Sequence, residues 1–272
     1  FAKPPSLIVD RRGIYFDPRQ PSDLEHLLNT VTEDEDAMAR ASRIRELIVK
    51  RGISKYNTGC CRIDVNRGTG RTVILVPGQV EDDASIRTGC IDVRSNVALL
   101  EAVRQSNPEA LILYKPHPDV GAGNRIGAVD DDVAGRLCDQ VIVDCDIAAC
   151  IDRADEIHTM TSLTGFEALL RGKSVHTYGL PFYAGWGLTT DRHAIDRRRR
   201  KRTIEELVHC ALVLYPRYYN WEAGLFVSVE DAIESLLREK NDGRERSEFS
   251  WWRQLDCKMR NLVENIGLMV GR

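Results

Sequence analysis

Residues 161–191 read TSLTGFEALLRGKSVHTYGLPFYAGWGLTTD, and the fold follows from how this stretch divides. Thr161, Ser162 and Thr164 place hydroxyls ahead of an apolar face made by Phe166, Ala168, Leu169 and Leu170, the pattern of a loop running into a helix. The first turn of such a helix has unpaired N–H groups and a partial positive charge, which suits a phosphate. Ser162, Thr164 and the N–H groups near Gly165 are candidates for that contact. Glu167 falls in the same turn, where a carboxylate is favoured and can reach a sugar diol. Gly172 closes the helix. Ser174–Tyr178, SVHTY, reads as a short buried strand. The following loop holds Pro181, Gly185, Gly187 and the aromatics Phe182, Tyr183 and Trp186, a composition common in loops that line a site. The plain alternative is an ordinary helix–strand unit with a capped helix.

Working outward, the same alternation recurs. Upstream, Glu156–Met160 reads as a strand, Ile147–Arg153 as a helix and Gln140–Val143 as a brief strand. Val133–Leu137 is a helix, Ala110–Tyr114 (ALILY) a strand and Asn96–Ser106 a helix with Val97, Leu99, Leu100 and Val103 inward. Thr72–Val76 (TVILV) is a continuous apolar run of the kind buried in a parallel sheet. Strands alternating with helices define an α/β fold with a doubly wound, Rossmann-like parallel sheet. Ligands of such sheets bind beyond the carboxyl ends of the strands. Three polar clusters fall there: Gln79–Ser85, His117-Pro118 and Thr161–Glu167.

Toward the amino end, Ser6–Asp10 reads as a strand, and Ile14–Phe16 is expected to pair back on it as a hairpin. Two helices follow, one capped near Ser22 or Asp23 and one over Asp34–Arg51. The polar, Gly-rich segment 56–71 marks a candidate domain boundary. Toward the carboxyl end, Arg197–Arg202 (RRRRKR) is a dense basic run, read either as a solvated loop or as a clamp for an anionic acceptor or a membrane surface. Ile204–Leu214 and Val229–Glu239 are helical, with Tyr215–Tyr218 ending the first. Phe249–Val270 patterns as an amphipathic helix with interfacial Trp251 and Trp252, expected to lie on a membrane surface.

The formal net charge of −3 over 272 residues implies no nucleic-acid partner. There is no apolar run of the roughly 18 residues that a spanning helix needs, and no signal peptide is visible. Eight cysteines, Cys60, Cys61, Cys90, Cys138, Cys145, Cys150, Cys210 and Cys257, occur without a C-x-x-C pair. That argues against a zinc site and for a reducing cytoplasm.

The clusters carry distinct chemistry. Gln79–Ser85, QVEDDAS, puts three acids on a strand-to-helix loop; they form either a solvated turn or the seat of a base or nucleophile at a sugar centre. His117 stands between Pro116 and Pro118, which restrict the backbone and hold the imidazole in place for a phosphate or base contact. Lys115 precedes it as a further donor. No P-loop is present.

Taken together these stretches resemble the bacterial capsule polysaccharide biosynthesis proteins, the retaining β-Kdo transferases of the KpsC type. The matching motifs are SKYNTG (54–59), VPGQVEDDAS (76–85), YKPHPDV (114–120), the 161–191 stretch and LYPRY (214–218), and the likeness covers Lys3–Leu237. The resemblance implies a GT-B architecture. Residues 1–66 would be the remnant of an acceptor-side Rossmann-like domain and 70–215 the nucleotide-sugar-binding domain. Terminal helices would occupy 216–240 and an amphipathic tail 247–272. It implies transfer of Kdo, an eight-carbon ulosonic acid, from CMP-Kdo to a lipid-linked oligo-Kdo acceptor, with no cofactor and no metal. Asp83 would be the nucleophile, with Gln79 and Ser85 shaping its loop. Lys115, His117, Pro118, Ser162, Thr164, Gly165 and Glu167 would bind the donor. It also implies a cytoplasmic protein, peripheral on the inner membrane among other capsule biosynthesis and export proteins. The family's acidic general-acid motif, of the type EDGF-x-RS, is expected upstream of Phe1, so the sequence is expected to be the later part of one transferase module, the second of two. Competing expectations are a CDP-glycerol-type phosphotransferase and a non-catalytic, CMP-Kdo-binding module at a membrane.

Overall fold

A computed structural model describes residues 5–32, 34–53 and 70–241 of the chain. In chain order the elements begin with β1 (Ser6–Ile8), α1 (Asp23–Thr30) and α2 (Glu35–Lys50). The wound region follows: β2 (Val73–Pro77), α3 (Ala84–Gly89), α4 (Asn96–Ser106), β3 (Leu111–Lys115), α5 (Pro118–Gly121), α6 (Asp131–Leu137), β4 (Gln140–Val141), α7 (Ile147–Arg153), β5 (Glu156–Thr159), α8 (Leu163–Leu170), β6 (Ser174–Thr177) and β7 (Thr190–Asp191). The chain then runs through α9 (Ile204–Val208), a π-helical segment (His209–Leu214), β8 (Pro216–Asn220), β9 (Leu225–Val227) and α10 (Val229–Asn241).

Strands β2 and β3 are buried at every position, as their unbroken apolar runs require. Successive side chains point to opposite faces of a strand, and this sorts the core into two layers. Val73, Leu75, Leu111, Leu113, Ile157 and Val175 join one layer with α1, α2, α7 and α8. Ile74, Val76, Ile112, Tyr114, Met160 and Tyr178 join the other with α3, α4 and α6. The six strands run parallel in the order β4-β3-β2-β5-β6-β7. The chain winds one way from β2 and the other way from β5, so the switch point lies between these two strands.

The amino-terminal segment is tied into this core: Leu24, Leu28, Ala41, Ile44 and Ile48 pack in the same layer as Leu75 and Leu113. Ile14–Phe16 does not pair back on β1. It forms a turn closed by Asp17 N–H to the Ile14 carbonyl, while β1 pairs antiparallel with β8, whose other edge takes β9. The segment Tyr215–Tyr218 therefore leads into a strand rather than merely ending a helix.

The basic run is neither a solvated loop nor a free anion clamp. Arg198 and Arg202 are buried. Glu25 of α1 accepts from Arg197 Nε (2.7 Å) and Arg198 Nε (3.3 Å). Arg198 Nη1 donates to the Pro181 and Ala184 carbonyls at 2.5 and 2.6 Å. Arg202 donates to the Leu28 and Val31 carbonyls and pairs with Glu206. Burial pulls the Arg198 pKa down, and Glu25 partly restores it. Only the run's other cations, such as Arg199 and Lys201, face solvent.

Cys90, Cys138, Cys150 and Cys210 are buried free thiols, but Cys145 is disulfide-bonded, a departure from the expectation of reduced cysteines. The SKYNTG motif, the polar boundary and the aromatic tail with Trp251 and Trp252 lie outside the described residues. Among the described residues no helix is long and apolar enough to cross a membrane.

Removing one partner from a buried ion pair leaves an uncompensated charge. Glu25→Ala is therefore expected to lower the unfolding free energy by about 3–5 kcal/mol in urea titration. Arg199→Ala, which removes an exposed cation, should stay within about 0.5 kcal/mol of the parent.

Candidate functional site

The carboxyl ends of β2 and β5 meet in a chain of polar side chains. Gln79, just past β2, is buried. Its Oε1 accepts from the Thr161 N–H (3.0 Å) and from Thr159 Oγ1 (3.3 Å), and its Nε2 donates to Thr161 Oγ1 (3.0 Å). Thr161 Oγ1 donates to Ser85 Oγ at 3.2 Å, and Ser85 Oγ donates to Asp83 Oδ1 at 2.8 Å. The Ser85 N–H reaches the same oxygen at 2.9 Å, so Asp83 is also the N-cap of α3. Asn96 holds the loop from behind. Its Oδ1 accepts from the Gln79 N–H, and its Nδ2 donates to the Gln79 and Gly127 carbonyls.

The three adjacent acids are separated by their partners. Glu81 Oε1 accepts from the Asn96 N–H at 2.7 Å and braces the start of α4. Asp82 is exposed and pairs with Arg125 at 2.8 Å, which lowers its pKa. Asp83 alone joins the chain through Ser85 and Thr161 to Gln79, and it is half-buried. The acidic triplet thus combines a turn brace, a surface ion pair and one carboxylate oriented at the switch point.

His117 caps α5, its Nδ1 accepting from the Asp119 N–H at 3.1 Å, and Pro118 supplies the first residue of that turn. The two strand-end loops touch closely. A Cβ added to Gly78 would lie 2.9 Å from the Tyr114 hydroxyl and 3.1 Å from His117 N, so glycine is needed where the loops cross. Lys115 does not join this group. Its Nζ donates to the Val143 carbonyl at 3.1 Å toward the β4 side, and burial lowers its pKa.

Ser162 caps α8, accepting from the Thr164 N–H at 3.1 Å, while its hydroxyl donates to Thr164 Oγ1. Gly165 N–H turns back to the Ser162 carbonyl at 3.1 Å. The N–H groups expected to seat a phosphate near Gly165 are thus engaged within the turn. Gly165 has a packing role: an added Cβ would collide with the Tyr183 ring, whose hydroxyl donates to the Ser162 carbonyl. Glu167 is buried on the same helix. The aromatics expected to line a site are core instead. Tyr183 and Trp186 are fully buried, Phe182 is 8 % exposed, and Trp186 Nε1 donates to the Phe182 carbonyl.

Sequence reasoning noted the Thr161 hydroxyl but did not choose it as a site residue, and it missed Asn96. Thr161 follows a buried strand directly, a usable signal. Asn96 sits behind an ordinary Ser95 cap, and only the fold brings it against Gln79.

A doubly wound parallel sheet with polar groups gathered at its switch point is the architecture of a GT-B type, Rossmann-like fold. The sequence matches the family described as "Capsule polysaccharide biosynthesis protein" over residues 1–218, and the chain belongs to that family. It is 49 % identical over 238 residues to the capsule polysaccharide modification protein LipA of Neisseria meningitidis serogroup A, covering 88 % of this chain and 34 % of LipA. It is 44 % identical over 242 residues to the lipopolysaccharide-processing protein LpsZ of Rhizobium meliloti, covering 88 % of this chain and 55 % of LpsZ. The chain thus spans about a third to a half of the length of these relatives. Among solved structures it superposes on the Thermosulfurimonas dismutans KpsC β-Kdo 2,7 transferase with a TM-score of 0.74 and 42 % identity, over 87 % of this chain and 73 % of that one. The β-Kdo 2,4 transferase of the same KpsC gives a TM-score of 0.76 and 37 % identity, over 87 % and 74 %.

Gln79→Ala is expected to leave the buried Thr161 N–H without its acceptor and to cost about 1–3 kcal/mol in thermal or urea unfolding. Gly165→Ala should destabilise by about 1–3 kcal/mol through overpacking. Tyr183→Phe in the same chain should recover part of that loss, because the phenolic oxygen is the atom nearest the added methyl.

Proposed function

We propose that this chain carries the donor-binding part of a glycosyltransferase that moves Kdo from CMP-Kdo to a lipid-linked capsule-linker glycan with retention of configuration. The observation that carries this reading is the shared sequence and fold with two β-Kdo transferases of Thermosulfurimonas dismutans. The oriented carboxylate at the switch point supports it, since ligands of open α/β sheets bind there. In this reading the protein works at the cytoplasmic surface of the inner membrane with other capsule biosynthesis and export proteins, and it needs no metal for CMP binding.

Asp83 is the nucleophile in the proposed double displacement. Both Ser85 donors fall on Oδ1, so Oδ2 makes the attack. Oδ2 bonds to the anomeric carbon as the bond from that carbon to the CMP phosphate oxygen breaks, and CMP departs. The acceptor oxygen then attacks the same carbon from the opposite side, the carboxylate is regenerated, and the acceptor proton passes to a base. The family resemblance assigns that base to the EDGF-x-RS motif. Glu81 and Asp82 are weaker choices because the Asn96 N–H and Arg125 engage them. His117, Pro118, Ser162, Thr164 and Glu167 are the proposed contacts to CMP, with Gln79 and Ser85 fixing the nucleophile's loop.

Asp83→Asn keeps the shape but removes the nucleophilic charge. In the full-length enzyme, turnover of CMP-Kdo should fall at least ~10³-fold while CMP affinity changes little. A near-normal rate would return Asp83 to a capping role. His117→Ala should weaken CMP binding by about 1.5–3 kcal/mol in calorimetry if the imidazole bonds a charged phosphate; unchanged affinity would remove His117 from the site.

A further inference from the structure

Three ligating side chains stand together on β5 and β6, away from the polar junction. Glu156 and His158 are two residues apart on β5, so they share one face. His176 of β6 lies directly beside His158 in the parallel register. Glu156 Oε2 is 3.1 Å from His158 Nε2 and 3.5 Å from His176 Nε2. One ligand atom from each residue falls within 4.8 Å of the other two. His158 Nδ1 is 3.1 Å from the Tyr178 hydroxyl, which fixes that ring with Nε2 toward the carboxylate. A second group holding the far nitrogen of an imidazole is the usual outer support of a metal-bound histidine. The His176 and Glu156 side chains are 28 % and 30 % exposed, which leaves a path from solvent.

We propose that Glu156, His158 and His176 form a binding site for a divalent first-row transition ion of the zinc type. Two imidazoles and a carboxylate are the donors such an ion prefers, and a water completes a tetrahedral set. The two rings stack with centroids 4.2 Å apart and planes 11° from parallel, so their Nε2 lone pairs run side by side. Binding turns the more exposed His176 ring until both nitrogens reach one ion at about 2.0–2.1 Å. The bound ion staples β5 to β6. His158 is followed by Thr159, which donates to Gln79, so the staple also stiffens the strand that carries the switch-point junction. The ion is separate from donor binding and takes no part in sugar transfer.

The test uses the 272-residue chain stripped with a chelator and dialysed. ZnCl2 is titrated by calorimetry and CoCl2 by visible absorption, with melting temperature recorded in both states. One ion per chain is expected, with a cobalt spectrum lacking a thiolate charge-transfer band and a raised melting temperature. His176→Ala and Glu156→Gln change half-exposed side chains, and circular dichroism checks that they fold. Each should weaken the ion at least about tenfold, and Tyr178→Phe should weaken it by about tenfold through loss of the outer support. No binding by the parent chain, a thiolate band, or parental affinity in both ligand variants would overturn the proposal.

Discussion

The guanidinium of Arg198 holds the architecture together. A buried cation is costly unless its charge is paired and its N–H groups find acceptors. Glu25 supplies the charge, and the Pro181 and Ala184 carbonyls supply the acceptors. These partners come from two distant parts of the chain, α1 and the loop after β6. Satisfying one side chain therefore fixes how the amino-terminal helices sit on the sheet. It also fixes the loop that carries Tyr183, whose hydroxyl reaches the Ser162 carbonyl at the start of α8. The route from Glu25 to the start of α8 runs through Arg198 and Tyr183, both buried and hydrogen-bonded.

That route explains the conduct of the 181–187 loop. Its carbonyls would be unsatisfied if the aromatics alone drove it into the core. Arg198 takes two of them, Trp186 Nε1 takes the Phe182 carbonyl, and Asp191 of β7 accepts from the Gly185 N–H at 2.8 Å. With its polar groups met, the loop buries Tyr183 and Trp186 fully and becomes a wall behind α8. Gly165 is small because that wall stands against it.

The sheet was legible because its signal is local. Runs such as TVILV and ALILY are apolar at every position, and only a strand covered on both faces buries all of them. Helix starts were legible for the same reason: Ser22, Asp34 and Ser95 cap within their own segments. What failed to show in sequence depends on partners far along the chain. β1 looks as ready to pair with Ile14–Phe16 as with β8, and RRRRKR looks solvated until Glu25 and the carbonyls of another loop arrive. At the site, the Gln79–Ser85 segment was legible as a polar cluster after a buried strand, and the choice of Asp83 within it came from the family resemblance. The use of Thr161 and Asn96 as the groups that bind it together was not legible, because each comes from a different crossover. The Glu156, His158 and His176 group escaped because a period-two pair on one strand means little until the register places the third residue beside it.

The same Asp83 side chain serves as helix cap and proposed nucleophile, and these duties conflict unless they fall on different oxygens. A carboxylate that loses its charge in an ester is a weaker acceptor, and a cap is worth about 0.5–2 kcal/mol. Here both Ser85 donors converge on Oδ1. An adduct through Oδ2 leaves Oδ1 as an ester carbonyl that still accepts them, so α3 keeps its first turn through the cycle. Had the two donors been divided between the oxygens, attack would have required breaking one of them and fraying the helix. Thr161 and Gln79 prevent that division, because they hold the Ser85 hydroxyl at a fixed angle from the far side of the switch point. The polar junction between β2 and β5 thus does for Asp83 what Arg198 does for the loop: it ties groups from separate parts of the chain into one hydrogen-bonded arrangement.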